Sequence, residues 1–111
     1  MTRIIPATRT KISVDAAILD LLPAQGSLEL QRDAAGKVHH FHTHPVDEIL
    51  MIVSGRLNFT WDGGERVCGA GDTILLPAGT LHQSEALDDS VYAIATLPPA
   101  GQIAAVFSSG Q

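Results

Sequence analysis

The sequence predicts an all-β protein whose short strands close into a sandwich or barrel. Two observations carry this. Short apolar or alternating runs recur along the chain, parted by clusters of Gly, Pro and Asp. Within Leu57–Asn58–Phe59–Thr60–Trp61 the large residues fall on one face and the polar ones on the other, as in a half-buried strand. The expected strands are residues 27–32, 38–44, 48–54, 57–61, 65–68, 73–77, 82–85 and 91–97, with breaks at 33–36, 45–47, 62–64, 69–72, 78–81 and 87–90.

Taken in order, residues 14–22 come first; their Ala and Leu content suits a helical turn, in a stretch too short to assign. Alternation through 38–44 puts His40, His42 and His44 on one face and His39, Phe41 and Thr43 on the other. Pro45 bends the chain into the next strand. There Ile49–Leu50–Met51–Ile52–Val53 has no polar face, so it needs cover on both sides, from another sheet or another subunit. Gly71–Asp72 turns into residues 73–77, and Pro77 with Gly79 forms a tight connection that aims His82. Pro98 and Pro99 should end the last strand, because proline donates nothing to a ladder.

Composition bounds the function. With 111 residues, 45% apolar and 17% charged, and no repeat or linker, the expectation is one soluble globular domain over 1–111. Seven basic against twelve acidic residues give a net charge of −5, and no Lys/Arg run could track a phosphate backbone, which argues against nucleic acid. The longest uninterrupted apolar run, 49–53, is far too short to span a bilayer. Residues 1–10 lack the apolar core of a signal peptide. A lone Cys68 forms no internal disulfide, so a reducing, cytoplasmic setting is expected.

The chemistry concentrates in the histidines. Four of the five lie between positions 39 and 44. His42 and His44, two apart on a strand, project side by side as two ligands of one ion would. Glu48 follows past the Pro45 bend, where a hairpin brings its carboxylate beside the rings. His82 is the distant fourth candidate. Imidazoles with a carboxylate suit one divalent transition metal (Zn, Fe, Mn, Ni or Co) better than Ca or Mg.

These residues match a family. Gly36–(five)–His42–Thr43–His44–(three)–Glu48–(six)–Gly55, residues 36–55, resembles the first motif of the cupin superfamily. Gly71–(five)–Pro77–Ala78–Gly79–(two)–His82, within 71–86, is similar to the second. The short spacer, 56–70, is similar to that of small single-domain cupins of the cupin 2 type. The resemblance implies a jelly roll, or double-stranded β-helix, closed into a barrel with the metal inside. It also implies that His42, His44, Glu48 and His82 are the ligands, leaving positions open for water, substrate or oxygen. One departure is Ala86, where the second motif often carries Asn; it reads as the loss of a supporting hydrogen bond, not of a ligand.

Other residues complete the expectation. Alternation aims His39 away from the ion and leaves His40 on the ligand face, as pocket lining, a ligand's partner or a rim histidine. Leu50, Ile52, Phe59, Trp61 and Ile94, with Tyr92 as a further lining candidate, suggest an apolar pocket and an uncharged or aromatic substrate. Asp47 and Glu85 read as solvated carboxylates and Cys68 as a buried, inert thiol. The leading function is a metal-dependent enzyme acting on a small organic molecule, of dioxygenase, isomerase, decarboxylase or cyclase type. The alternative is a non-catalytic small-molecule or metal sensor, although no attached regulatory domain fits in this length. A metal-free epimerase-like protein, with a histidine base and Tyr92 as acid, is the weakest reading, given the full metal quartet. Cover for strand 49–53 and exchange of N-terminal strands (Arg3–Pro6, Lys11–Val14) suggest a homodimer.

Overall fold

Alternating and apolar runs become nine strands, and the Ala/Leu segment a helix, among the residues that the computed structural model describes: 2–7, 13–23 and 26–97. In chain order they are β1 (Arg3–Ile5), α1 (Val14–Leu21), β2 (Ser27–Asp33), β3 (Val38–His42), β4 (Asp47–Ser54), β5 (Arg56–Trp61), β6 (Gly64–Gly69), β7 (Thr73–Leu76), β8 (His82–Ala86) and β9 (Ser90–Leu97). Most bounds fall within a residue of those expected; β3 is the exception, ending at His42 instead of 44. Pro98, Pro99, Lys11 and Ile12 lie outside the described residues.

The strands form a five-stranded sheet, β1-β7-β4-β9-β2, and a four-stranded sheet, β3-β8-β5-β6, with every pair antiparallel. Their inner faces meet in a core of Leu50, Ile52, Leu57, Phe59, Cys68, Ile74, Leu76, Ala86 and Tyr92. This is the expected two-sheet jelly roll. Ala86 packs inside that core, so its methyl fills apolar space where an amide would need partners. Gly55 joins β4 to β5 at φ +81°, and a Cβ there would collide with Ser90 Oγ and the Asp89 carbonyl. Only glycine suits that turn.

Strand β4 is buried on both faces, as its sequence requires. Leu50 and Ile52 point between the sheets. Ile49 and Met51 point outward, against Leu75, Ala93, Ala95, Leu97 and the α1 residues Ala17 and Leu21. Helix α1 therefore supplies cover that was expected from another sheet or another subunit. Helix α1 starts at Ser13, whose hydroxyl accepts from the Ala16 N–H (3.1 Å). It forms because Ala17 and Leu21, one turn apart, bury on the sheet. β1 pairs with β7 of the same chain, Ile4 opposite Ile74.

β2 matters most for the site. It is an edge strand, paired only with β9 among the described strands. Leu28 packs with the outer, helix-covered cluster. Period-two alternation then turns Glu29, Gln31 and Asp33 toward the space between the sheets. That polar face leaves a cavity at this end of the barrel.

Candidate metal centre

Two bends bring three of the sequence-predicted residues, His42, His44 and His82, into one cluster, with Glu48 beside His44. His42 is the last residue of β3 and pairs with His82, the first of β8. His44 lies in the connection to β4, and Glu48 shares the inward parity of Leu50 and Ile52. The turn after β7 is tied to this connection twice. Asp47 Oδ1 accepts from the Ala78 N–H (2.8 Å), and the Gly79 N–H donates to the His44 carbonyl (2.8 Å). Asp47 is only 3% exposed, which corrects its expected place on the surface. Its carboxylate is buried because it caps the turn that aims His82.

The rings of His42, His44 and His82 have centroid separations of 4.7, 4.3 and 5.2 Å. One ligand atom from each lies within 4.8 Å of the others. The His42 Nδ1–H donates to the His40 carbonyl (2.5 Å), and that of His82 to the Thr80 carbonyl (2.9 Å). With Nδ1 so used, Nε2 is the lone-pair nitrogen of each ring, an arrangement typical of metal-binding histidines. Glu48 stands beside this cluster, with Oε1 3.7 Å from His44 Nε2. Atoms bound at about 2.0–2.2 Å to one tetrahedral ion lie about 3.3–3.6 Å apart, so the rings would close by up to about 1.5 Å to share one. The donor set fits a divalent transition metal.

The electrostatics agree. Burial holds the His82 imidazole below its ordinary pKa, against the Thr80 carbonyl, and nearby His42 and His44 push the same way. A neutral ring is the form that binds metal. Phe59 stacks on His82 at 5.6 Å. Burial raises the Glu48 carboxyl; His44 and His42 oppose this, and Glu29 adds to it.

His39 and His40 exchange their expected places. On β3, His39 opposes Ser84 and His42 opposes His82, so three residues on one strand match two on the other. This irregularity shifts the side-chain parity by one. His39 therefore lines the cavity and His40 is exposed. His39 Nε2 bonds to Asp33 Oδ2 (3.0 Å). The same carboxylate accepts from the Tyr92 hydroxyl (2.7 Å) and from Gln31 Nε2 (3.0 Å). Burial pushes the Asp33 carboxyl up, but these three hydrogen bonds outweigh it and leave the pKa below the usual carboxylate range. Burial and the Asp33 charge push the Tyr92 phenol far up, so it stays neutral.

The cavity is about 180 Å³. Of the expected lining, Leu50, Phe59, Tyr92 and Ile94 are present, but Ile52 and Trp61 are not. Ile52 is wholly within the core, and the Trp61 indole lies against the Gly63–Gly64 turn. The remaining lining is polar: Glu29, Gln31, His39 and Ser84 join the candidate ligands. The pocket is thus apolar in part, as expected, with polar groups from β2, β3 and β8 that were not expected there. The missed residues on β2 carry one signal, the polar 29–31–33 alternation, whose face only the packing of Leu28 reveals. Glu85 is exposed and Cys68 buried, as expected.

Comparison with known proteins agrees with this architecture. The dimethylsulfoniopropionate lyase DddQ of Ruegeria pomeroyi is 36% identical over 55 residues, 49% of this chain and 27% of the lyase. Its crystal structure superposes with a TM-score of 0.58 at 29% identity, covering 65% of this chain and 39% of that one. This chain thus spans well under half of that relative's length. KdgF from Halomonas sp. gives a TM-score of 0.58 at 25% identity, over 75% of this chain and 81% of that one. A cupin superfamily protein of Desulfitobacterium hafniense reaches 0.62 over 87% of this chain and 77% of its own, at 14% identity, a likeness of fold alone. Residues 29–97, more than half of the chain, match the Cupin domain family (Cupin_2), and the protein belongs to the cupin superfamily.

Proposed function

We propose that this chain is a metal-dependent enzyme acting on a small organic molecule, with one divalent transition metal held by His42, His44, Glu48 and His82. The observation that carries this reading is the convergence of three imidazoles in a cavity, with two of the rings already orienting Nε2 as the free nitrogen. The bound ion would supply Lewis-acid polarisation or oxygen activation, depending on its identity. The protein's own part is to hold the His82 ring neutral, keep Phe59 packed over it, and limit the ligand to a cavity of about 180 Å³. That is smaller than the roughly 300–1,000 Å³ of drug-sized sites, so the ligand is small. The likeness to a lyase supports an enzyme over a sensor, and it rests on half of the chain. One domain over 1–111, a cytoplasmic setting and a homodimer belong to the same proposal. The second is supported by the lone, buried Cys68, while the third no longer draws support from strand β4.

The test is metal per chain, by elemental analysis after dialysis, in the parent, His82→Ala and His39→Ala. The parent should hold about one ion. His82→Ala should lower affinity by more than the roughly 10–100-fold typical of residues that only support a ligand. His39→Ala should keep the metal, since its ring is engaged by Asp33. A parent that takes up none of Zn, Fe, Mn, Ni or Co refutes the reading, as does loss of metal from His39→Ala with retention in His82→Ala.

A further inference from the structure

The donors around Asp33 determine what the cavity can recognise. Asp33 is 3% exposed, and an ionised carboxylate accepts hydrogen bonds but donates none. Each of its three partners therefore spends a donor on it. Tyr92 spends its only one, His39 the N–H of Nε2, and Gln31 one of two. The atoms left over are mainly acceptors: the second phenol lone pair, Gln31 Oε1 and, in the Nε2–H tautomer, His39 Nδ1; the second Gln31 N–H remains as a donor. Glu29, on the same face of β2, adds a carboxylate, and its charge reaches both Glu48 and Tyr92. Ser84 adds a hydroxyl that can turn either way. No lysine or arginine lines the cavity among the described residues.

We infer that this wall selects a ligand that carries hydrogen-bond donors or positive charge where it meets β2 and Tyr92. The substrate class is then a small organic acid with an ammonium or hydroxyl group there, bound with its carboxylate toward the metal. This rests on the metal-dependent reading above and deepens it. An anionic group at this wall would set acceptor against acceptor, and an apolar one would strip these atoms of water without replacing it. Either mismatch costs about tenfold in affinity or more.

The experiment uses the full chain loaded with Zn²⁺, with zinc per chain measured on the same sample. Three four-carbon carboxylates, 4-aminobutyrate, butyrate and succinate, are titrated by calorimetry. 4-Aminobutyrate should bind at least about tenfold more tightly than butyrate, and succinate weakest of all. In Glu29→Gln, at an exposed position outside the proposed ligands, that preference should shrink several-fold while zinc content and butyrate affinity stay unchanged. A zinc-loaded chain that binds butyrate or succinate as tightly as 4-aminobutyrate overturns the inference alone. So does a zinc-loaded chain that binds no 4-aminobutyrate at about 10 mM, and so does an unchanged preference in Glu29→Gln. A chain that takes up no zinc overturns the metal reading instead, and the inference falls with it.

Discussion

Asp47→Ala tests whether the site is held together by a single carboxylate between the two motif segments. Asp47 is buried, and its Oδ1 receives the Ala78 N–H at 2.8 Å across thirty-one residues of sequence. Beside it the Gly79 N–H reaches the His44 carbonyl at 2.8 Å. Alanine removes a charge-assisted hydrogen bond and leaves the Ala78 N–H without that acceptor. Bonds of this kind contribute about 1.5–3 kcal/mol, and Ala78 is only partly buried, so the cost should be near 2 kcal/mol or a little less. For a domain of this size that lowers Tm by about 6–9 °C. The turn also sets His82 against His44, so zinc affinity should fall by roughly 10–100-fold. Differential scanning calorimetry of the metal-free chain reads the first effect, and competition with a chelator reads the second. Asp47→Asn keeps an acceptor oxygen in place and should show a smaller loss of both. Tm within about 2 °C of the parent, together with unchanged zinc affinity in Asp47→Ala, would refute the bracing role.

Two further expectations concern buried titratable groups. Hydrogen bonds from Gln31, Tyr92 and His39 leave the Asp33 carboxyl with a lowered pKa, so the unfolded chain takes up that proton first as pH falls. Its stabilisation is complete above about pH 4 and lost as pH drops through the folded value. The stability gap between the parent and Asp33→Asn, measured by urea unfolding, should therefore narrow from pH 6 to about pH 3; a constant gap contradicts the assignment. Burial, with Asp72 adding and Arg66 opposing, pushes the Cys68 thiol up to about 11. A thiol reagent at about pH 8 should leave the folded chain unmodified and label it quickly in denaturant. Equal rates in the two states would show Cys68 to be accessible.

Much of this protein was legible in its residues taken in order. Alternation in 57–61, the two-sided apolar run 49–53 and the Gly/Pro breaks marked the strands, because side-chain parity and turn chemistry are local properties. The same holds for the donor types: imidazoles two apart, then a carboxylate past a proline, name a class of ion before any fold is known. Parity counting failed at β3, where an extra residue between His39 and His42 reversed it with no Gly or Pro to announce the bulge. Burial of a charge was likewise invisible, since the Ala78 N–H that satisfies Asp47 and the groups that satisfy Asp33 come largely from other strands and turns. The inward turn of Glu29 and Gln31 and the covering of Ile49 and Met51 by α1 follow from which layer meets which. Those choices depend on the summed contacts of distant segments, and no window of sequence contains both partners.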